Sequence, residues 1–168
     1  MEAPKLRFTK VRDVKSPCYG TDGSAGIDFF IPNRKKSIVL SPQSDVLIPS
    51  GIKADIPNGY MLLAANKTSI AVSKEAHIRA GHPKKQVIAA PDSPLIVGAD
   101  VADSDYQGEI FLHLINVGNF KVRLKPGQKI LQMVLVRAPK AQLEEVQESD
   151  LFTEDSQRGN GAFGSTNK

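Results

Sequence analysis

Ile110-Phe111-Leu112-His113-Leu114-Ile115-Asn116-Val117 is the stretch on which the fold class turns. Side chains of a strand alternate between its faces, so Ile110, Leu112 and Leu114 share one side while Phe111, His113 and Ile115 share the other. Both sides are largely apolar, and a strand of that kind is covered twice. In a domain this small the second cover is expected to come from another subunit. His113, the polar member of its face, reads as a hydrogen-bonded core or interface histidine in preference to a catalytic one.

Outward from this strand, short apolar or alternating runs recur at residues 6–9, 27–31, 37–40, 46–48, 60–65, 86–89, 95–97, 121–124 and 130–136. Eleven prolines and thirteen glycines punctuate them, which leaves only residues 68–80 and 142–147 room for a helix. Many short strands with repeated turn signals predict an all-β barrel or sandwich. The 168 residues are one domain's worth, enough to bury a core without staples. A composition 40% hydrophobic and 24% charged excludes the fibrous and disordered classes. The lone Cys18 excludes an internal disulfide. No apolar run reaches the ~18 residues of a membrane span, and Met1-Glu2-Ala3-Pro4-Lys5 lacks a signal peptide's basic and apolar regions. A cytoplasmic location, with no membrane partner, is expected.

The formal net charge of +4 conceals an asymmetry. Residues 141–168 carry Glu144, Glu145, Glu148, Asp150, Glu154 and Asp155 against Arg158 and Lys168, a balance of −4 that leaves +8 on residues 1–140. A basic body attracts DNA, RNA or a nucleoside triphosphate alike, and a solvated basic face with no ligand is an equal reading.

Asp100-Val101-Ala102-Asp103-Ser104-Asp105-Tyr106-Gln107-Gly108-Glu109 leads into the deciding strand from a turn. Its three aspartates fit a metal cluster, a general base with helpers, or a plain turn. Spacing alone favours the turn, because Asp and Gly are common turn formers. A calcium loop is excluded, since the downstream Glu at the required distance is absent. His77 and His82, with no carboxylate or Cys at ligand spacing, are a poor metal signal. Residues 157–168 have too little apolar area to offset their ordering entropy and read as a mobile tail in the unliganded chain. That tail is either a frayed terminus or an arm for a phosphorylated, ring-bearing ligand. For the arm, Arg158 offers a fork for phosphate, glycines offer open backbone, and Phe163 offers a flat face.

Five segments, taken in order, resemble the motifs of the trimeric dUTP pyrophosphatases (dUTPases). Ala25-Gly26-Ile27-Asp28-Phe29 is similar to the first, Lys67-Thr68-Ser69 to the second, and Asp103-Ser104-Asp105-Tyr106-Gln107-Gly108 to the third. Pro126-Gly127-Gln128-Lys129-Ile130-Leu131-Gln132-Met133 resembles the fourth, and Arg158-Gly159-Asn160-Gly161-Ala162-Phe163-Gly164-Ser165-Thr166 the fifth. The resemblance implies a distorted jelly-roll β-barrel assembled as a homotrimer with shared active sites. Residues 1–156 would form the single barrel domain, and residues 157–168 a flexible arm closing over the site.

It also implies Mg2+-dependent hydrolysis of dUTP to dUMP and pyrophosphate. On that resemblance Asp103 is the general base for the water attacking the α-phosphorus. Tyr106 packs under the deoxyribose and leaves no room for a 2′-hydroxyl. The backbone near Val97, with Val101 and Ala102, forms a slot that reads uracil, and Phe111 borders it. Lys67, Thr68 and Ser69 hold the phosphates. Asp28 and Gln132 grip the waters of the Mg2+ from outside its coordination sphere. Arg158, Gly164, Ser165 and Thr166 take the γ-phosphate, and Phe163 stacks on uracil.

Four departures from the family's pattern carry expectations of their own. Asn66-Lys67-Thr68-Ser69 stands where the family has Pro-Arg-Ser-Ser or Pro-Arg-Ser-Gly, so the charge is kept and the planar fork lost. Ala102 in place of Ile or Val is expected to loosen the packing below the uracil slot. Gln128 and Lys129 replace an acidic–Arg pair, which puts an ion pair there in doubt. Thr68 and Asp103 are 35 positions apart, far more than in the family, so residues near 75–94 read as an insertion projecting from the barrel. It is either a neutral elaboration or a basic finger for substrate, a neighbouring subunit or an unidentified partner. No nucleic acid is required for this activity. The alternatives are a catalytically weak nucleotide- or protein-binding member of the fold and a dCTP deaminase-like enzyme.

Overall fold

Turn residues interrupt the chain so often that its longest described strand has nine residues. The computed structural model describes residues 3–85, 90–98, 101–154, 156 and 159. Among them the strands are β1 (Arg7–Lys10), β2 (Cys18–Tyr19), β3 (Gly26–Phe30), β4 (Ile38–Leu40), β5 (Asp45–Pro49), β6 (Ile52–Asp55), β7 (Tyr60–Ala65), β8 (Leu95–Val97), β9 (Val101–Ala102), β10 (Phe111–Asn116), β11 (Val122–Leu124) and β12 (Lys129–Arg137). Two short helices, α1 (Thr68–Ala71) and α2 (Lys74–Arg79), follow β7.

The strands form four antiparallel sheets, in the orders β1-β6, β5-β10-β8, β11-β4 and β2-β3-β12-β7-β9. Their inward side chains meet in one core that includes Ile31, Leu62, Leu112, Leu114, Leu124, Ile130 and Leu131, each almost fully buried. Truncating any of these to Ala removes about 2–5 kcal/mol.

The deciding strand behaves as its pattern requires on one side only. Leu112, Leu114 and Asn116 are buried, whereas Phe111 is exposed and His113 and Ile115 are half-buried. The second apolar face is thus open in the single chain. Strands β2, β6 and β9 were not legible in the pattern, being two to four residues long or starting at a turn.

The helical expectations need two corrections. Residues 68–80 form two helices instead of one, because Ser73 turns extended and caps α2, its hydroxyl accepting from the Ala76 N–H at 3.4 Å. Residues 142–147 are not helical; a 3-10 turn at Glu148–Asp150 follows them. Leu143 and Val146 on this segment are 94% and 40% exposed, so no buried apolar face is available to stabilise a helix. The run at 86–89 lies outside the described residues.

Candidate functional site

β3, β12 and β7 carry a charged cradle. Asp28 on β3 lies level with Gln132 on β12, which lies level with Ala65 near the end of β7. The Asp28 side chain is buried, and its two oxygens accept from Lys67 Nζ at 2.8 Å and Lys129 Nζ at 2.6 Å. Lys67 arrives because β7 ends two residues before it. Lys129 arrives through an irregularity between Lys129 and Leu131 in the β12–β3 register, which re-aims the first residue of β12. Where the family has its acidic–Arg pair, the Gln128 side chain accepts from the Lys125 N–H at 2.9 Å, and Lys129 pairs with Asp28 of the first motif-like segment. Its signal was a lysine opening an otherwise apolar strand.

Burial pushes the Asp28 carboxyl up, but the hydrogen bonds from Lys129 and Lys67 outweigh it, and the group sits below the ordinary carboxylate range. The hydrogen bond to Asp28 likewise raises Lys129, against desolvation. A carboxyl held below its unfolded value adds stability that is full above that value and lost as pH falls through the lower folded one. The Tm gap between wild type and Asp28→Asn should thus be full near neutrality and close below about pH 4. Thermal melts across that range check it, and a gap that ignores pH contradicts it.

Gln132 is anchored from two sides. Its Nε2 donates to the Asn66 carbonyl at 3.3 Å, and its amide oxygen lies where a Cβ on Gly26 would come within 2.3 Å. A Cβ there would force the Gln132 side chain to move. The Asn66 side chain in turn accepts from the Val97 N–H at 2.6 Å, tying the loop before Lys67 to β8. An Asn where the family has Pro therefore serves as a brace. Thr68 and Ser69 are exposed at the start of α1, which Ile70 roots in the core.

The acidic turn is rigid. The Tyr106 N–H donates to the Asp103 carbonyl at 3.1 Å, and the Tyr106 hydroxyl donates to the Glu109 carbonyl at 2.8 Å. The Glu109 carboxylate receives a two-pronged bond from Arg12, at 2.7 and 2.9 Å, and the Gly51 N–H at 2.7 Å. The Arg12 bond is the larger reason that Glu109 lies below its ordinary range. Sequence reasoning missed this brace, since nothing local to Glu109 points to a partner at position 12.

Val101, Ala102, Tyr106 and Phe111, together with Leu47, Ile110 and Met133, line one cavity of about 170 Å³. Gly108 fits beneath the ring, for a Cβ there would fall 2.3 Å from the Tyr106 hydroxyl. Gly108→Ala is expected to displace Tyr106 and break its hydroxyl bond to the Glu109 carbonyl, lowering stability by about 0.5–1.5 kcal/mol. A denaturant melt reads this out, and unchanged stability refutes it.

Asp103 does not join the cradle. β9 pairs with β7 so that Ala102 faces Leu62, which sets Asp103 beyond the Leu62 rung, whereas Asp28 is level with Ala65. Four rungs along and three strands across, at strand rise and spacing, put the two backbone positions on the order of 20 Å apart along the sheet. Asp103 instead borders a separate cleft with Asn58, Tyr60 and Lys140. Arg158, Phe163, Gly164, Ser165 and Thr166 lie outside the described residues.

His113 Nε2 lies 2.9 Å from the Asp45 carboxylate, and the ring fills the space a Cβ on Gly98 would need. His77 and His82 share a contact of 2.7 Å between their Nδ1 atoms. Among the described residues, no three His, Cys, Asp or Glu side chains gather to hold a metal ion. Among the described residues near 75–94, the Pro91 carbonyl accepts from the Lys74 N–H, Asp92 pairs with Lys74 Nζ, and His77 and Ser93 are buried. No helix among the described residues is long and apolar enough to cross a membrane.

Residues 89–167 match the dUTPase family model. Over 168 residues the chain is 30% identical to the deoxyuridine 5'-triphosphate nucleotidohydrolase of Fusobacterium nucleatum, covering 100% of both chains. It is 33% identical to the same-named protein of Wolbachia sp. subsp. Brugia malayi, covering 100% of this chain and 94% of that one. Among solved structures, a Staphylococcus bacteriophage 80alpha dUTPase mutant with dUpNHpp aligns over 98% of this chain and 99% of its own at TM-score 0.76 and 19% identity. A mutant dUTPase from phage phi11 of S. aureus, described with a structural Mg(II) ion, aligns over 86% of this chain and 98% of its own at TM-score 0.68 and 17% identity.

Proposed function

The chain belongs to the dUTPase family, and from that premise we propose that it hydrolyses dUTP to dUMP and pyrophosphate at sites shared between the copies of a homotrimer. The observation that carries the reading is the division of labour within one chain. A cradle of Asp28, Lys67, Lys129 and Gln132 lies level with the Ala65 end of β7, and Asp103 lies beyond the Leu62 rung, toward the other end. A triphosphate cannot span both, so the cradle of one copy meets the acidic turn of the next. The half-open face of β10 supplies apolar area for such a contact. A cytoplasmic location and a single domain over residues 1–156 belong to the same reading.

In this arrangement uracil enters the slot of Val101 and Ala102, with Phe111 at its border and the Val97 backbone nearby. Tyr106, fixed by Glu109 and Gly108, packs against the sugar and refuses a 2′-hydroxyl. Lys67, Thr68 and Ser69 take the phosphates. Asp103 holds the attacking water and accepts its proton at a carboxylate oxygen as the water oxygen bonds to the α-phosphorus. The bond from that phosphorus to the bridging oxygen breaks, and pyrophosphate leaves with the electron pair. The arm at 157–168 supplies Arg158, Gly164, Ser165 and Thr166 to the γ-phosphate and Phe163 to the base, excluding further water.

The cradle also fits Mg2+, under one condition. Asp28 offers one negative charge already shared by two ammonium groups, so a bare divalent ion is repelled. Were Lys67 and Lys129 drawn to the oxygens of a triphosphate, Asp28 would be freed to receive an ion that the phosphates carry. Asp28 and Gln132 would then hold it through its waters. When bound it neutralises charge that builds on the phosphates.

Incubation with Mg2+ and each of dUTP, dCTP, dTTP and UTP, followed by assays of pyrophosphate and ammonia, tests the proposal. Pyrophosphate from dUTP alone is expected. Ammonia from dCTP, or dUTP affinity without product, would replace this reading.

A further inference from the structure

Residues 110–143 contain no Asp or Glu, and neither do residues 29–44. The fold lays these two acid-free stretches side by side, since β11 pairs with β4 and Leu124 faces Ile38. Burial alternates along β11, so that Lys121, Arg123 and Lys125 are exposed on one side while Val122 and Leu124 enter the core. Arg34, Lys35 and Lys36 are exposed just before β4, at the Lys125 end of the same ribbon. Among the described residues none of these six cations pairs with a carboxylate. Beside the ribbon runs a groove of about 680 Å³ lined by Lys74, Lys121, Arg123 and Lys125, and its acidic member, Asp92, is held by Lys74 at 2.8 Å.

At the head of this stripe stands Phe120, 63% exposed. Its turn is firmly held. Asn116, fully buried, donates from Nδ2 to the Phe120 carbonyl at 2.8 Å and accepts from the Gly118 N–H at 3.1 Å. Ser93, also fully buried, accepts from the Phe120 N–H at 2.8 Å. Gln43, in a left-handed conformation at φ 54°, donates to the carbonyls of Val117 and Gly118 at 3.2 and 3.1 Å. Buried polar side chains and one strained residue are thus committed to a turn that presents an aromatic ring to solvent beside unpaired cations.

The geometry points to a binding face for single-stranded nucleic acid, with phosphates along Lys121, Arg123 and Lys125 and an unpaired base on Phe120. Regularly spaced cations neutralise a phosphate backbone, and a fixed exposed ring supplies sequence-tolerant stacking. An acidic protein segment would use the cations and leave the ring idle. A duplex has no free base face to offer. The face is distinct from the cradle and from the Asp103 turn, so this inference stands or falls independently of the hydrolysis proposed above.

Fluorescence anisotropy with a labelled oligothymidylate of fifteen nucleotides tests it. Wild type is expected to bind at low salt, with log K falling against log[salt] at a slope of about −2 or steeper for three or more phosphate contacts. The combined variant Lys121→Gln, Arg123→Gln, Lys125→Gln should lose about 2 from that slope, with its circular dichroism unchanged. Should it not fold, Arg123→Gln alone should lose about 0.7. Phe120→Ala should weaken binding by about 5- to 100-fold at constant slope. No salt-dependent binding, an affinity for duplex equal to that for single strand, or displacement by polyglutamate as effective as by unlabelled oligonucleotide would overturn the assignment, the last in favour of an acidic protein partner.

Discussion

Asp103→Asn is expected to bind dUTP within a few-fold of wild type and to lose about 10²–10⁴-fold in turnover, the range a positioned base contributes. The amide keeps the shape of the side chain, and the Tyr106 N–H bonds to the Asp103 backbone carbonyl rather than its carboxylate, so the turn survives. In the proposed reaction, what disappears is an acceptor for the proton of the attacking water. Equilibrium binding of a non-hydrolysable analogue and single-turnover rates separate the two effects. Unimpaired turnover would remove Asp103 from the chemistry.

Asp28→Asn is expected to act at the other end of the site, lowering kcat by about 10²-fold, as loss of one electrostatic contact in a dry site does. Nucleotide affinity should hold, because the cradle becomes more positive. The stability change should be about 1–3 kcal/mol, since charge-assisted hydrogen bonds from two ammonium groups are lost. It falls short of the full penalty for a stranded buried ion, because the side chains of Lys67 and Lys129 are 25% and 41% exposed and can turn to water. Turnover at saturating Mg2+ and dUTP, together with a denaturant melt, checks both parts. Wild-type kcat would show that the cradle does not serve catalysis.

Much of the architecture was legible in the chain before folding. The alternation from Ile110 to Val117 marked the strand that fills the core, and the apolar run at 130–136 marked the centre of the largest sheet. What stayed hidden was whatever depends on register. Lys129 read only as half of a replaced acidic–Arg pair until the β12 irregularity carried it to Asp28. Asn66 looked like a weakened motif until its side chain met the Val97 N–H. Arg12 and Glu109 lie 97 positions apart, and no local pattern joins them. The reverse error, a helix at 142–147, arose because helical propensity says nothing about whether a neighbouring surface exists to hold the helix.

The opposed placement of cradle and acidic turn on β7 has a genetic reading. If each working site borrows its halves from two chains, damage to either half is recessive within a mixed assembly. A preparation of Lys67→Ala and one of Asp103→Asn, each inert alone, should regain activity when unfolded and refolded together. With random assortment of equal amounts, roughly a quarter of the sites unite an intact cradle with an intact carboxylate. A pair of lesions on the same half should never rescue one another.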